Sequence, residues 1–164
     1  MTKPISERRI LALSLDWQGF GFAAFDGPHD LMDYGTRNFR YRIKIPLEAK
    51  LLLLLDANQP DTLAVVEPTT VMRKKIAEKI TRVAKAEKVP LVFIPNADIR
   101  KTFAPDNQNK YQIAAAIADR YPELLLRLPS PRKRWQSEKS GITIFEAAAA
   151  GFAYYELKIA PSEN

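Results

Sequence analysis

The sequence predicts a mixed α/β fold: one five-stranded sheet, its first three strands antiparallel and the last two parallel, with helices on both faces. Three observations carry this prediction. Residues 8–41 hold three strand-like runs joined by connections too short for a crossover, which makes them antiparallel neighbours. From Pro46 onward helical and strand patterns alternate, the signature of β-α-β units whose right-handed crossovers fix the topology. The chain then reaches an alanine-rich helix whose small side chains suit close packing on a sheet.

Arg8 to Trp17 reads as a buried strand, because Ile10-Leu11-Ala12-Leu13 is continuously apolar before the more polar Ser14-Leu15-Asp16. Gln18-Gly19 supplies a turn. Phe20 to Phe25, aromatic-rich and closed by Asp26-Gly27-Pro28, is the second strand. The third runs from Leu31 through Tyr34, Thr36 and Phe39 to Tyr41, with Arg37, Arg40 and Arg42 along an exposed edge. Pro46 opens a helix over Leu47 to Ala57, whose five successive leucines predict burial on nearly all sides, and Asn58-Gln59-Pro60 stops it.

Thr62 to Val66 is a short apolar strand ending at Glu67-Pro68, and Thr69 or Thr70 caps the next helix. Met72, Ile76, Ile80 and Val83 form its inner stripe, while Arg73, Lys74, Lys79, Arg82, Lys85 and Lys88 make a solvated face. Pro90 ends it, and Leu91 to Ile94 is another buried strand. Asn107 or Asn109 caps a helix from Lys110 to Arg120, with Ile113 and Ile117 inward. Pro129 to Trp135 is a basic loop leading to the final helix, about Ser140 to Tyr155, where Glu146 interrupts an apolar surface. Beyond Leu157 the tail is polar and expected to fray. With no internal repeat, residues 1–164 are expected to form one domain with its core over 8–157.

Composition narrows the chemistry. At 164 residues and 46% apolar side chains, the chain is long enough to bury a sheet between helices. It has no cysteine, which excludes disulfides and thiolate metal sites, and the single histidine, His29 in a surface loop, removes zinc clusters and most triad chemistry. A bound metal would be a hard cation on carboxylates. No apolar run approaches the roughly 20 residues of a membrane span, and Met1-Thr2-Lys3-Pro4 lacks the apolar core of a signal peptide, so a cytoplasmic protein is expected. The formal charge of +6 tilts towards a polyanionic partner.

The carrying residues are Ile10 to Leu13 leading into Gly19-Phe20-Gly21-Phe22-Ala23, then Val65-Val66-Glu67-Pro68, Asn109-Lys110, Pro131-Arg132-Lys133 and Phe145-Glu146-Ala147-Ala148-Ala149. In that order, over almost the whole chain, they resemble the RuvC-type Holliday junction resolvases of the ribonuclease H-like superfamily. The resemblance implies a ribonuclease H-like fold and a structure-selective DNA endonuclease dependent on Mg2+ or Mn2+. Its substrate would be branched or double-stranded DNA, and it would act as a homodimer. The resemblance assigns catalysis and metal ligation to Glu67 and Glu146, with Asp16 the candidate for the remaining position. The family's aspartate at the end of strand one corresponds to Ser14 here, and its earlier acid on the last helix to Thr143. Asp16, two residues on, shares Ser14's face and substitutes only if the strand end shifts by about 6–7 Å.

In the chemistry so implied, two metal ions about 4 Å apart activate water and neutralise charge on the phosphorane. Lys101, Lys110, Arg132, Lys133 and Arg134 would hold the phosphate backbone, with Tyr111 and Trp135 stacking on bases. Each acid also has a plainer reading. Asp16 is a residue type that caps strand-end turns, Glu67 could serve the dipole of the following helix, and Ser14 could be a small core residue. Glu146 is costly to bury without a partner, which favours function. At the level of the whole protein the alternative is a catalytically degenerate nucleic-acid-binding module of the same fold. An actin-like or sugar-kinase ATPase is disfavoured, since Trp17-Gln18-Gly19-Phe20 replaces the glycine-threonine phosphate turn of those proteins.

Overall fold

The computed structural model describes residues 3–16, 19–38, 46–103, 109–128 and 141–157. Three consecutive strands and then alternating helices and strands follow in the order β1 (Arg9–Leu15), β2 (Gly19–Asp26), β3 (Leu31–Asn38), α1 (Leu47–Asn58), β4 (Thr62–Val66), α2 (Val71–Ala86) and β5 (Leu91–Ile94). Then follow α3 (Asn96–Phe103), α4 (Lys110–Arg120) and α5 (Ile142–Glu156), with a short 3-10 turn at Pro122–Arg127. The sheet order is β3-β2-β1-β4-β5. β1 pairs antiparallel with β2 and parallel with β4, so the expected mixed sheet is formed with β1 at its centre.

Two-residue alternation along the strands divides the core in two. Leu11, Leu13 and Leu15 of β1, with Phe20 and Phe22 of β2 and Leu63 and Val65 of β4, face α1 and α2. Ile10 and Ala12, with Ala23 and Phe25 of β2 and Ala64 and Val66 of β4, face α3, α4 and α5. α5 lies directly on β1 and β2 because its contact face is alanine and glycine. A Cβ at Gly151 would collide with the ring of Phe25, and one at Gly21 with the backbone of Thr143. Gly21 pairs with Ser14 across β1 and β2, so the first turn of α5 is brought down over the end of β1.

Several expectations are revised. The leucine run of α1 is buried on one side only: Leu51, Leu54 and Leu55 are buried, but Leu53 is 65% exposed and Leu52 40%. Met72 also faces solvent, leaving Ile76, Ile80 and Val83 as the inner stripe of α2. β5 is an edge strand, with only Ile94 fully buried and Phe93 on the outside. Thr70 caps α2 by accepting from the Arg73 amide, and Asn109 caps α4 in a reciprocal box with Gln112. α3 follows β5 after Pro95 alone, a helix that the sequence pattern does not announce. No helix among the described residues is long and apolar enough to cross a membrane.

Candidate functional site

Ser14 is the last residue of β1 that points to the α5 side, and it is 1% exposed. Its hydroxyl donates a 2.9 Å hydrogen bond to Glu146 Oε2. The plainer expectation of a small buried residue therefore holds, and the side chain makes a specific polar contact as well. Glu146 stands one turn beyond Thr143 on α5, partly buried among apolar neighbours. Burial raises its carboxyl above the ordinary range. The Ser14 hydrogen bond and the charges of Lys110 and Arg73 act the other way, and Asp16 adds to the rise.

Asp16 closes the turn out of β1. Its Oδ1 accepts from the Gly19 amide at 2.8 Å and its own amide donates to the Gly19 carbonyl at 2.9 Å. The turn-capping reading is thus realised, while its charge is felt at Glu146. Glu67 is exposed, and its amide continues the parallel ladder by donating to the Ile94 carbonyl at 2.9 Å. The alternation of β4 explains this exposure: Val66 faces α5, so the next position belongs to the opposite side.

Beside Glu146 opens a cleft of about 390 Å3 at the carboxyl ends of β4 and β5, where open α/β sheets place ligands. Val66, Ile99, Ile113 and Phe145 form its apolar wall. Its polar lining residues are Arg73, Arg100, Lys110 and Glu146, with Asn96 and Asn109. Arg73 and Arg100 are functional candidates that sequence reasoning missed. Arg73 reads from sequence as part of the solvated face of α2, and of the two exposed cations Arg100 and Lys101 the register of α3 turns Arg100 to the cleft.

Of the expected backbone-binding residues, Lys110 lies in the cleft. Tyr111 packs partly buried against the α5-side core, its hydroxyl enclosed without a hydrogen-bond partner among the described residues. That places the hydroxyl end of the ring inward, not outward for base stacking. Arg132, Lys133, Arg134 and Trp135 lie outside the described residues.

No family model matches the chain, and no curated protein does. Among solved structures, Thermus thermophilus RuvC in complex with a Holliday junction substrate superposes with a TM-score of 0.64 at 14% identity, covering 90% of this chain and 92% of that one. The fold is that of the RuvC-like Holliday junction resolvases. The yeast mitochondrial Holliday junction resolvase Ydc2 matches with a TM-score of 0.56 at 12% identity, over 96% of this chain and 84% of that one. The fowlpox virus resolvase in complex with Holliday junction DNA matches with a TM-score of 0.54 at 12% identity, over 93% and 99%.

The RuvC-like scaffold raises the question of a magnesium centre. Among the described residues, no group of three or more Asp, Glu or His side chains is close enough to hold an ion, so Asp16, Glu67 and Glu146 do not form the expected cluster. The donor set has the wrong sign as well. One partly buried carboxylate, already bonded to a neutral hydroxyl, shares its cleft with two guanidinium groups and an ammonium, which repel a divalent cation. Among the described residues, the donor set does not fit a two-metal hydrolytic centre.

Proposed function

We propose that this chain is a DNA-binding module of RuvC-like fold, directed to branched or double-stranded DNA and acting without two-metal phosphodiester hydrolysis. The observation that supports this reading is the hydrogen bond from Ser14 to Glu146 in a cleft lined by Arg73, Arg100 and Lys110. Where a hydrolytic site would gather carboxylates, this one gathers donors and cations. Such groups hold phosphates by charge-assisted hydrogen bonds. Lys101 on α3 adds to the positive surface, the Arg132-Lys133-Arg134-Trp135 run supplies three further cations and an aromatic ring in sequence, and a homodimer would present two copies of the cleft to a junction.

A four-way junction, a linear duplex and a single strand, each labelled and titrated with and without Mg2+ or Mn2+, test the reading. Binding is expected in EDTA, with log affinity falling linearly in log salt as phosphate counterions are released. Incision is expected from neither metal. The hydrolytic reading is favoured by one observation, the electrostatic influence of Asp16 on Glu146. Metal-dependent incision by the native protein, lost in Asp16→Asn and Glu67→Gln, would replace the binding-module reading with it.

A further inference from the structure

The geometry points to the cleft beside Glu146 as a receptor for the phosphomonoester end of a nucleotide, taken up without a metal ion. The inference deepens the DNA-binding reading and rests on it only for the identity of the molecule that carries the phosphate. Arg73, Arg100 and Lys110 enter one cleft from three different helices. With Glu146 ionised the described lining of the cleft still holds a surplus of positive charge. A terminal phosphate, close to dianionic at neutral pH, matches that surplus better than the single charge of an internal phosphodiester.

Two further features agree with an anion. α3 begins at Asn96 and α4 is capped by Asn109, and both residues line the cleft, so the positive ends of both helix dipoles are directed to it. The donors also differ usefully in shape. Two guanidinium forks can engage oxygens in pairs, and the ammonium adds a point charge.

The apolar part of the lining favours a nucleotide over phosphate alone. Val66, Ile99, Ile113 and Phe145 are apolar, and inorganic phosphate would gain nothing from them. A sugar and base would cover that wall while the phosphate met the cations. At about 390 Å3 the cleft falls within the usual range for a small ligand.

Calorimetry in EDTA with thymidine 5′-monophosphate, thymidine and inorganic phosphate tests the cleft itself. Anisotropy with oligonucleotides bearing or lacking a 5′- or 3′-terminal phosphate tests the source. Thymidine 5′-monophosphate should bind, thymidine should not, and inorganic phosphate should bind at least tenfold more weakly. Oligonucleotides should gain about tenfold from a terminal phosphate at one end. Arg73→Gln and Arg100→Gln should each remove about that factor, whereas Lys79→Gln on the far face of α2 should not. Unchanged melting temperatures establish that the variants are folded.

If the mononucleotide binds and no oligonucleotide does, the cleft assignment stands with a free nucleotide as its ligand, and the DNA reading fails. The inference is overturned if oligonucleotides bind equally with and without a terminal phosphate and the mononucleotide does not bind. It is also overturned if inorganic phosphate binds as tightly as the mononucleotide, or if binding requires Mg2+.

Discussion

Replacing Ser14 by alanine should destabilise the protein by an amount that depends on pH. The side chain is fully buried, and its hydroxyl makes a 2.9 Å bond to a carboxylate oxygen. Against an ionised carboxylate such a bond is worth about 1.5–3 kcal/mol, against a neutral one about 0.5–1.5 kcal/mol. The sign with pH follows from Glu146. Burial lifts its carboxyl above the ordinary value of 4.5, so over the interval between that value and the raised one the folded protein keeps a proton the unfolded chain has released. Stability contributed by this group is therefore present at acid pH and lost as pH rises through the raised value. Removing the Ser14 hydrogen bond, which opposes the rise, deepens that loss.

Thermal melts followed by circular dichroism should show Ser14→Ala about 3–12 °C below the native protein at pH 8, and about 1–6 °C below at pH 4. Glu146→Gln keeps an acceptor for the hydroxyl without a buried charge. It should melt above the native protein at pH 8, and its advantage should vanish by pH 4. A Ser14→Ala loss that is equal at both pH values, or larger in acid, would refute the account of Glu146 as a buried, hydroxyl-bonded acid.

Gly151→Ala should cost about 1–3 kcal/mol in chemical denaturation, since its Cβ meets the Phe25 ring, which is held edge-on by Tyr121 at 5.3 Å and Tyr155 at 6.1 Å. A neutral result would mean that the ring yields freely. Asn109→Ala removes the acceptor for the Tyr111 and Gln112 amides and should lower stability by about 0.5–2 kcal/mol, read as a drop in denaturation midpoint at constant slope. Tyr111→Phe deletes an enclosed hydroxyl that has no partner among the described residues, so the variant should melt at or above the native temperature.

The fold was legible because the patterns that specify it are local. Continuous apolar runs marked β1 and β4, short connections marked the antiparallel start, and prolines and caps bounded the helices. Where the reading went astray, packing decided. Five leucines in a row cannot all be buried on a helix that meets the sheet along one side, and Leu52 and Leu53 turn outward. β5 reads as a core strand from its residues, yet it lies at the sheet edge, which only the pairing order reveals.

The site was half legible. Glu146 stood out as a charge in an apolar helix, and strand parity put Ser14 and Asp16 on one side. The same parity, applied to β4, separates Glu67 from Val66, and that signal was available in the sequence. Arg73 and Arg100 were hidden in a background of surface cations. Their meeting with Lys110 depends on how α2, α3 and α4 are set against one another, a relation between helices distant in the chain that no spacing encodes.

The position of α5 in the chain has a consequence for how the protein is made. Residues 142–156 cover the strand face that carries Ile10, Ala12, Ala23, Phe25 and Ala64, and they leave the ribosome after all five strands have emerged. Until then that face is an uncovered, sticky plane on the nascent chain, a ready target for chaperones. A truncation before residue 142 should give an insoluble product, while the α1 and α2 side can already assemble.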